Sequence, residues 1–244
     1  MLAALWAGAL PAMGQELVVA VTSSSTPFAY MTPQGELVGF NVDLGRAICE
    51  QLKRPCRVEA MPFPQVIPAV SAGRADIGLG NVLKTPEREK LVAFSIPVWR
   101  STSSFISSAG SRWTTPAEAV KNKTVCVVDG GVQQTYVRAL GVPPPSLLAK
   151  ATNLAVLESL QQGECVLALL PTMQALPFLQ TPAGKPYTFL GTPMAQDGLG
   201  GTVHVVVRPD QTALLNSVNE AIRVLIRNGM HEKISRRYFP FSIL

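Results

Sequence analysis

The stretch Ala75–Pro97, ADIGLGNVLKTPEREKLVAFSIP, decides how this chain is read. Its first part, Ile77-Gly78-Leu79-Gly80, is a short apolar run that reads as a buried strand ending in a small-residue turn. Lys84-Thr85-Pro86-Glu87-Arg88 then carries the marks of a helix start. Thr85 can cap, Pro86 suits the first helical position, and Glu87 puts an acid in the first turn. Arg88 therefore falls within one turn of a helix that opens at the carboxyl end of a strand, the edge of an open α/β sheet where ligands sit. A guanidinium there presents a planar fork of donors that matches a carboxylate. The local pattern alone also fits a solvated helix arginine, so the reading of Arg88 rests on its surroundings.

Upstream, Glu16–Val21 is a strand followed by the hydroxyl-rich loop Thr22-Ser23-Ser24-Ser25-Thr26-Pro27-Phe28, whose place at a strand end makes ligand contact plausible. Pro33-Gln34-Gly35-Glu36 is a hairpin-like turn. A helix then opens near Asn41, read as its cap, with Leu44, Ile48 and Leu52 on one face. Arg57–Met61 is a strand, and Pro62-Phe63-Pro64 leads a helix with Val66, Ile67 and Val70 inward, stopped by Gly73. This alternation predicts a mostly parallel α/β lobe.

Downstream, Ser and Thr accumulate from Ser95 to Ser108, and Ser103–Ile106 reads as a strand leaving that lobe. A second α/β unit follows: a helix from Thr115-Pro116, a strand at Thr124–Val128, the turn Asp129-Gly130-Gly131, and a helix over Val132–Leu140. Pro143-Pro144-Pro145 is a stiff loop, then come a helix at Asn153–Gln161, a strand at Cys165–Leu170, a helix at Pro171–Leu179 and a strand at Tyr187–Leu190. The chain crosses a glycine-rich segment, Gly191–Gly201, into a strand at Thr202–Val207. A long helix carries the core stripe Leu214, Leu215, Val218, Ile222, Leu225 and Ile226, ended by Asn228-Gly229, and a short basic helix over His231–Tyr238 closes the chain.

Of the 244 residues, 47% are apolar and 15% charged, which excludes disorder and supplies a sizeable core. Net charge is +5, but the basic residues are scattered and not interleaved with aromatics, so nucleic acid is not an expected partner. Residues 1–14, MLAALWAGALPAMG, resemble the apolar core and small-residue cleavage site of a secretory signal without its basic start, and are too short to span a bilayer. The expected compartment is extracytoplasmic. Cys49 and Cys56, seven apart, can be bridged there, whereas Cys126 and Cys165 either pair or pack as small hydrophobes. With no C-x-x-C and two isolated histidines, His204 and His231, neither a metal nor a cofactor site is expected. No G-x-S-x-G, H-E-x-x-H, P-loop or complete G-x-G-x-x-G motif occurs, which argues against nucleophilic and nucleotide chemistry.

One family joins these features. Gly35-Glu36-Leu37-Val38-Gly39-Phe40-Asn41-Val42-Asp43-Leu44, Val66-Ile67-Pro68-Ala69-Val70, Gly73-Arg74-Ala75-Asp76-Ile77, Thr85-Pro86-Glu87-Arg88, Phe94-Ser95 and the end from Asn228-Gly229 through Arg237-Tyr238-Phe239 resemble the amino-acid-binding solute receptors of ABC transporters, family 3. The likeness is greatest to the histidine and lysine/arginine/ornithine binders and covers Glu16–Leu244. It implies an α/β, two-lobed, type II periplasmic-binding-protein fold with two hinge crossings, lobe 1 being residues 15–103 plus 196–244 and lobe 2 residues 104–195. It also implies a monomer in the periplasm that hands a small molecule to a transporter permease, and it matches the Cys49/Cys56 spacing to a disulfide of that subgroup.

By the same resemblance Arg88 grips the ligand carboxylate, Asn81 and Gly80 offer strand-end contacts, Phe63 covers the ligand, and Ser25 stands where an aromatic often stacks. Asp129 and Gly131 belong to a turn whose backbone N–H groups can hold an anion. Three positions depart from the family pattern: Leu83 replaces a hydroxyl residue, Val132 a threonine, and Pro171 the aspartate that pairs with an α-ammonium. The carboxylate end of the site is kept and the amine end is not, unless Asp129 turns inward. Two other readings are a dehydratase-like enzyme on the same scaffold, which wants an acid in the cleft, and a sensory ligand-binding module.

Overall fold

The computed structural model describes residues 15–111 and 115–244, so the expected leader at 1–14 lies outside the described residues. The chain opens with β1 (Leu17–Thr22), the small hairpin β2 (Tyr30–Met31) and β3 (Leu37–Val38), then α1 (Phe40–Leu52), β4 (Cys56–Met61), α2 (Phe63–Ser71), β5 (Ile77–Leu83), the one-turn α3 (Pro86–Glu89) and β6 (Ala93–Ser101). It passes through Thr102 into β7 (Ser103–Ser108), α4 (Pro116–Val120), β8 (Val125–Val128), α5 (Val132–Ala139), a 3-10 turn at Pro144–Ser146, β9 (Leu147–Lys150), α6 (Asn153–Gln161), β10 (Leu167–Pro171), α7 (Thr172–Leu179) and β11 (Tyr187–Met194). It returns to β12 (Gly201–Val207), α8 (Thr212–Arg227) and α9 (Met230–Ser235).

Two five-stranded sheets result, ordered β4-β1-β5-β12-β6 and β11-β7-β10-β8-β9. Each centres one lobe of an α/β fold, and the chain crosses between them twice, at Thr102 and over residues 195–200. The first sheet is mixed and not mostly parallel as expected: β4, β1 and β5 run parallel, while β12 lies antiparallel to both β5 and β6. The reason is topological, since β12 enters from the return crossing and runs against its neighbours.

The same strand explains two further differences. β5 does not end at Gly80, because β12 pairs with it as far as Leu83, and the local turn signal becomes a positive φ of 58° at Asn81 inside the strand. β6 was not expected as a strand. Its Pro97 lies opposite His204, where the register shifts, so the proline is absorbed at an irregularity. Edge strand β9, also unexpected, pairs parallel with β8 directly after the proline-rich turn.

Side-chain burial follows the predicted periodicities in most places. Val66 and Val70 of α2 and Val218, Ile222 and Leu225 of α8 are buried, whereas Ile226 is exposed at the edge of its stripe. The first lobe is centred on aromatic residues, with the Phe28 and Trp99 rings stacked at 4.6 Å and Phe239 at 5.3 Å from Phe28. Asn41 does not cap α1. Gly39 stands at that position, and the buried Asn41 amide donates 2.9 Å bonds to Leu79 O and to Asn81 Oδ1. A tertiary acceptor has outcompeted the local backbone.

Both cysteine pairs are bridged. Cys49–Cys56 joins the end of α1 to β4, and Cys126–Cys165 ties β8 to the residues before β10.

Candidate functional site

A cleft of about 470 Å3, counted to its open mouth, lies where the strand ends of the two sheets face each other. From the first sheet and its connections it is lined by Thr22, Phe63, Gly80, Asn81, Leu83, Arg88 and Ser101. From the second come Val128, Gly131, Val132, Gln133, Asn153, Pro171 and Gln174.

Arg88 is built into this cleft from its own backbone outward. The Thr85 hydroxyl caps α3 by accepting the Arg88 N–H at 3.3 Å. Arg88 is 9% exposed. Nη1 donates to Leu83 O at 2.8 Å, and Nη2 crosses the cleft to donate to Gly130 O at 3.0 Å. Its carbon lies 5.3 Å from the centre of the Phe63 ring. Burial brings its pKa down to about 10, with Glu87 pulling the other way, so the group stays cationic at neutral pH. Among the described residues Arg88 takes part in no ion pair.

The rest of the first-lobe wall is rigid. Thr22 Oγ1 donates to Gly80 O at 3.0 Å, and a Cβ on Gly80 would sit 3.0 Å from Val66 Cγ1, so glycine is what lets β5 pass close over α2. Asn81 is held by Asn41 on one side and donates to Ser25 Oγ at 3.4 Å on the other.

The second-lobe wall is made of neutral amides. Gln133, Asn153 and Gln174 sit in the first turns of α5, α6 and α7, which open after β8, β9 and β10, and all three are buried. Gln133 Nε2 donates to Ser103 Oγ at 2.9 Å, and that hydroxyl donates to Leu199 O at 2.6 Å. The site is thereby wired to both crossings. Thr102 Oγ1 bonds Thr172 Oγ1 at 2.9 Å, so the hydroxyl-rich texture around the first crossing has a local use. Asn153 Nδ2 reaches Ser25 Oγ at 3.4 Å, while its Oδ1 is buried with no partner.

Arg88, Asn81, Gly80, Phe63, Leu83, Gly131, Val132 and Pro171 thus come together as expected from sequence, and two expected residues do not. Ser25 is fully buried behind the wall, where it receives the Asn81 and Asn153 amides and stacks on nothing. Asp129 is exposed and accepts from Gln134 Nε2 at 3.1 Å, so it does not face the cleft. The anion-holding turn is also not free: the Gly130 N–H donates to Gln134 Oε1 at 3.0 Å and the Gly131 N–H to Val128 O at 3.2 Å. Sequence reasoning missed Gln133, Asn153 and Gln174. The signal that finds them is the one that found Arg88, a polar residue in the first turn of a helix that follows a strand.

The chain matches the model of the bacterial extracellular solute-binding proteins, family 3, over residues 17–241. It is 28% identical over 247 residues to the lysine/arginine/ornithine-binding periplasmic protein of Escherichia coli (strain K12), covering 97% of this chain and 92% of that one. It is 29% identical over 243 residues to the L-arginine-binding protein of Pseudomonas aeruginosa, covering 92% and 88%. Among solved structures, an ancestral arginine-binding protein bound to glutamine superposes with a TM-score of 0.83 at 25% identity, covering 92% of this chain and 97% of that one.

Proposed function

The chain belongs to the bacterial extracellular solute-binding proteins, family 3, and on that premise we propose that it captures a small carboxylate or amino-acid-like solute in the periplasm and delivers it to an ABC transporter permease. The observation that carries this reading is Arg88: a buried guanidinium without an acidic partner among the described residues, set at a strand's carboxyl end between two lobes. A charge so placed is costly unless an anion joins it. The units that close correspond to the expected 15–103 with 196–244 and 104–195, trimmed at the crossings to residues 15–101 with 201–244 and residues 103–194. Thr102 and residues 195–200 act as the hinges. Capture is by a monomer and involves no nucleic acid.

We read the cleft as a binder and not a catalyst. The dehydratase-like alternative needs an acid positioned over the solute, and the cleft lining contains none among the described residues. The paired cysteines suit an oxidising compartment.

The test is a thermal-shift screen of the purified protein with small carboxylates, amino acids and amines, followed by calorimetry. A cognate carboxylate at about 100 times its dissociation constant stabilises the fold by about 2.7 kcal/mol. Small-angle scattering should then show a drop in radius of gyration on loading. A panel in which only amines bind would overturn the role given to Arg88.

A further inference from the structure

The curated relatives bind lysine, arginine and ornithine by their names, yet this cleft has the wrong charge for such cargo. Arg88 is its one charged lining residue among those described. Asp129, the acid beside the second-lobe turn, is exposed and engaged by Gln134. A cationic amino acid would bring two positive groups and one negative one into a space that already holds a guanidinium, with no carboxylate to meet either ammonium or guanidinium. Buried charges left unpaired are strongly unfavourable.

From this we infer that the solute is a mono-carboxylate with no cationic group, whose remaining polar atoms are neutral hydrogen-bonding groups. The inference rests on the receptor reading above and narrows it. Two sets of facts support it independently. The first is charge: one cation matches one anion, so a second carboxylate on the solute would have no partner. The second is hydrogen bonding. The wall facing Arg88 carries Gln133, Asn153 and Gln174, all buried neutral amides, and Asn153 Oδ1 is an acceptor with no donor. Amides on that wall can meet a hydroxyl or amide group of the solute without bringing in a charge. Pro171, at the start of α7, lines the same wall and offers no N–H and no side-chain acceptor.

The experiment is calorimetry at neutral pH on a panel of matched triplets: L-amino acids with uncharged side chains, their 2-hydroxy acids and their deamino acids, with L-arginine, L-lysine and L-ornithine alongside. The tightest binder is expected to be a hydroxy or deamino acid, at least about tenfold tighter than its amino twin, a gap of about 1.4 kcal/mol. The three cationic amino acids should give no binding heat at about 1 mM, a ceiling of about −4.1 kcal/mol.

If a cationic amino acid or the amino twin binds more tightly, the charge inference is overturned while the receptor reading stands. If nothing in the panel binds, both fall. A second arm uses Pro171→Asp, which places an acid in the cleft at the N-cap of α7, a position where aspartate is well tolerated. Provided its thermal midpoint is kept, the variant should improve binding of the amino twin relative to the hydroxy acid by about tenfold. An unchanged ranking in the folded variant would count against the inference.

Discussion

The two lobes approach the same cleft with different chemistry. The first brings a single full charge, Arg88, on a helix of one turn that the Thr85 cap and the Leu83 carbonyl hold in place. The second brings three neutral amides, each on the opening turn of a longer helix, and one of them is bonded to the hydroxyl network at the crossings. On the proposed reading, the first lobe recognises charge, while the second recognises shape and hydrogen-bonding pattern.

This division is most directly broken at Arg88. Arg88→Ala is expected to weaken any carboxylate solute by about 3–5 kcal/mol while the thermal transition survives. Calorimetry showing unchanged affinity would remove charge from the first lobe's part. Lysine at the same position should recover only a fraction, because a point charge replaces a fork that also holds two carbonyls.

The lobes should also differ in how far their bridges support them. Closing a separation of 39 residues, Cys126–Cys165 is expected to contribute about 4 kcal/mol, against about 2.5 kcal/mol for Cys49–Cys56 at a separation of seven. Paired serine variants compared by chemical denaturation measure both, and a larger loss from the first-lobe pair would reverse the comparison.

Asn153→Ala tests the second lobe's share. Affinity for the preferred solute should fall by about 1 kcal/mol, and by much less for an analogue lacking its neutral hydrogen-bonding groups. The smallest expected effect is Thr85→Ala, about 1 kcal/mol or less, seen as a lower thermal midpoint and a slightly weaker carboxylate affinity from loss of the cap that presents Arg88.

Much of the fold was legible because it is written locally. Thr85 caps α3, and Thr115 and Thr152 cap α4 and α6, each by accepting the N–H three residues on. What could not be read locally was whatever depended on a distant strand. β12 arrives from the far end of the chain, lengthens β5 beyond Gly80, and gives β6 a partner despite Pro97. Asn41 was misjudged for the same reason, since its acceptors lie on β5 and not on its own helix. In the site, a cap, a proline and a strand end were enough to place Arg88 near the cleft, but they fitted a solvated arginine as well, and the family resemblance decided between the two. Ser25 and Asp129 were not readable, because whether a loop side chain faces a cleft depends on which partner holds it: Asn153 of the other lobe donates to Ser25 behind the wall, and Gln134, five residues on, keeps Asp129 at the surface.

The bond from Arg88 Nη2 to the Gly130 carbonyl joins one lobe to the other across the cleft. A latch of that kind favours the shut arrangement over any open one, and apparent affinity scales with the fraction of molecules competent to bind. Tightness gained this way is shared by every guest that fits, so the latch adds to the strength of the grip without adding to the choice of guest.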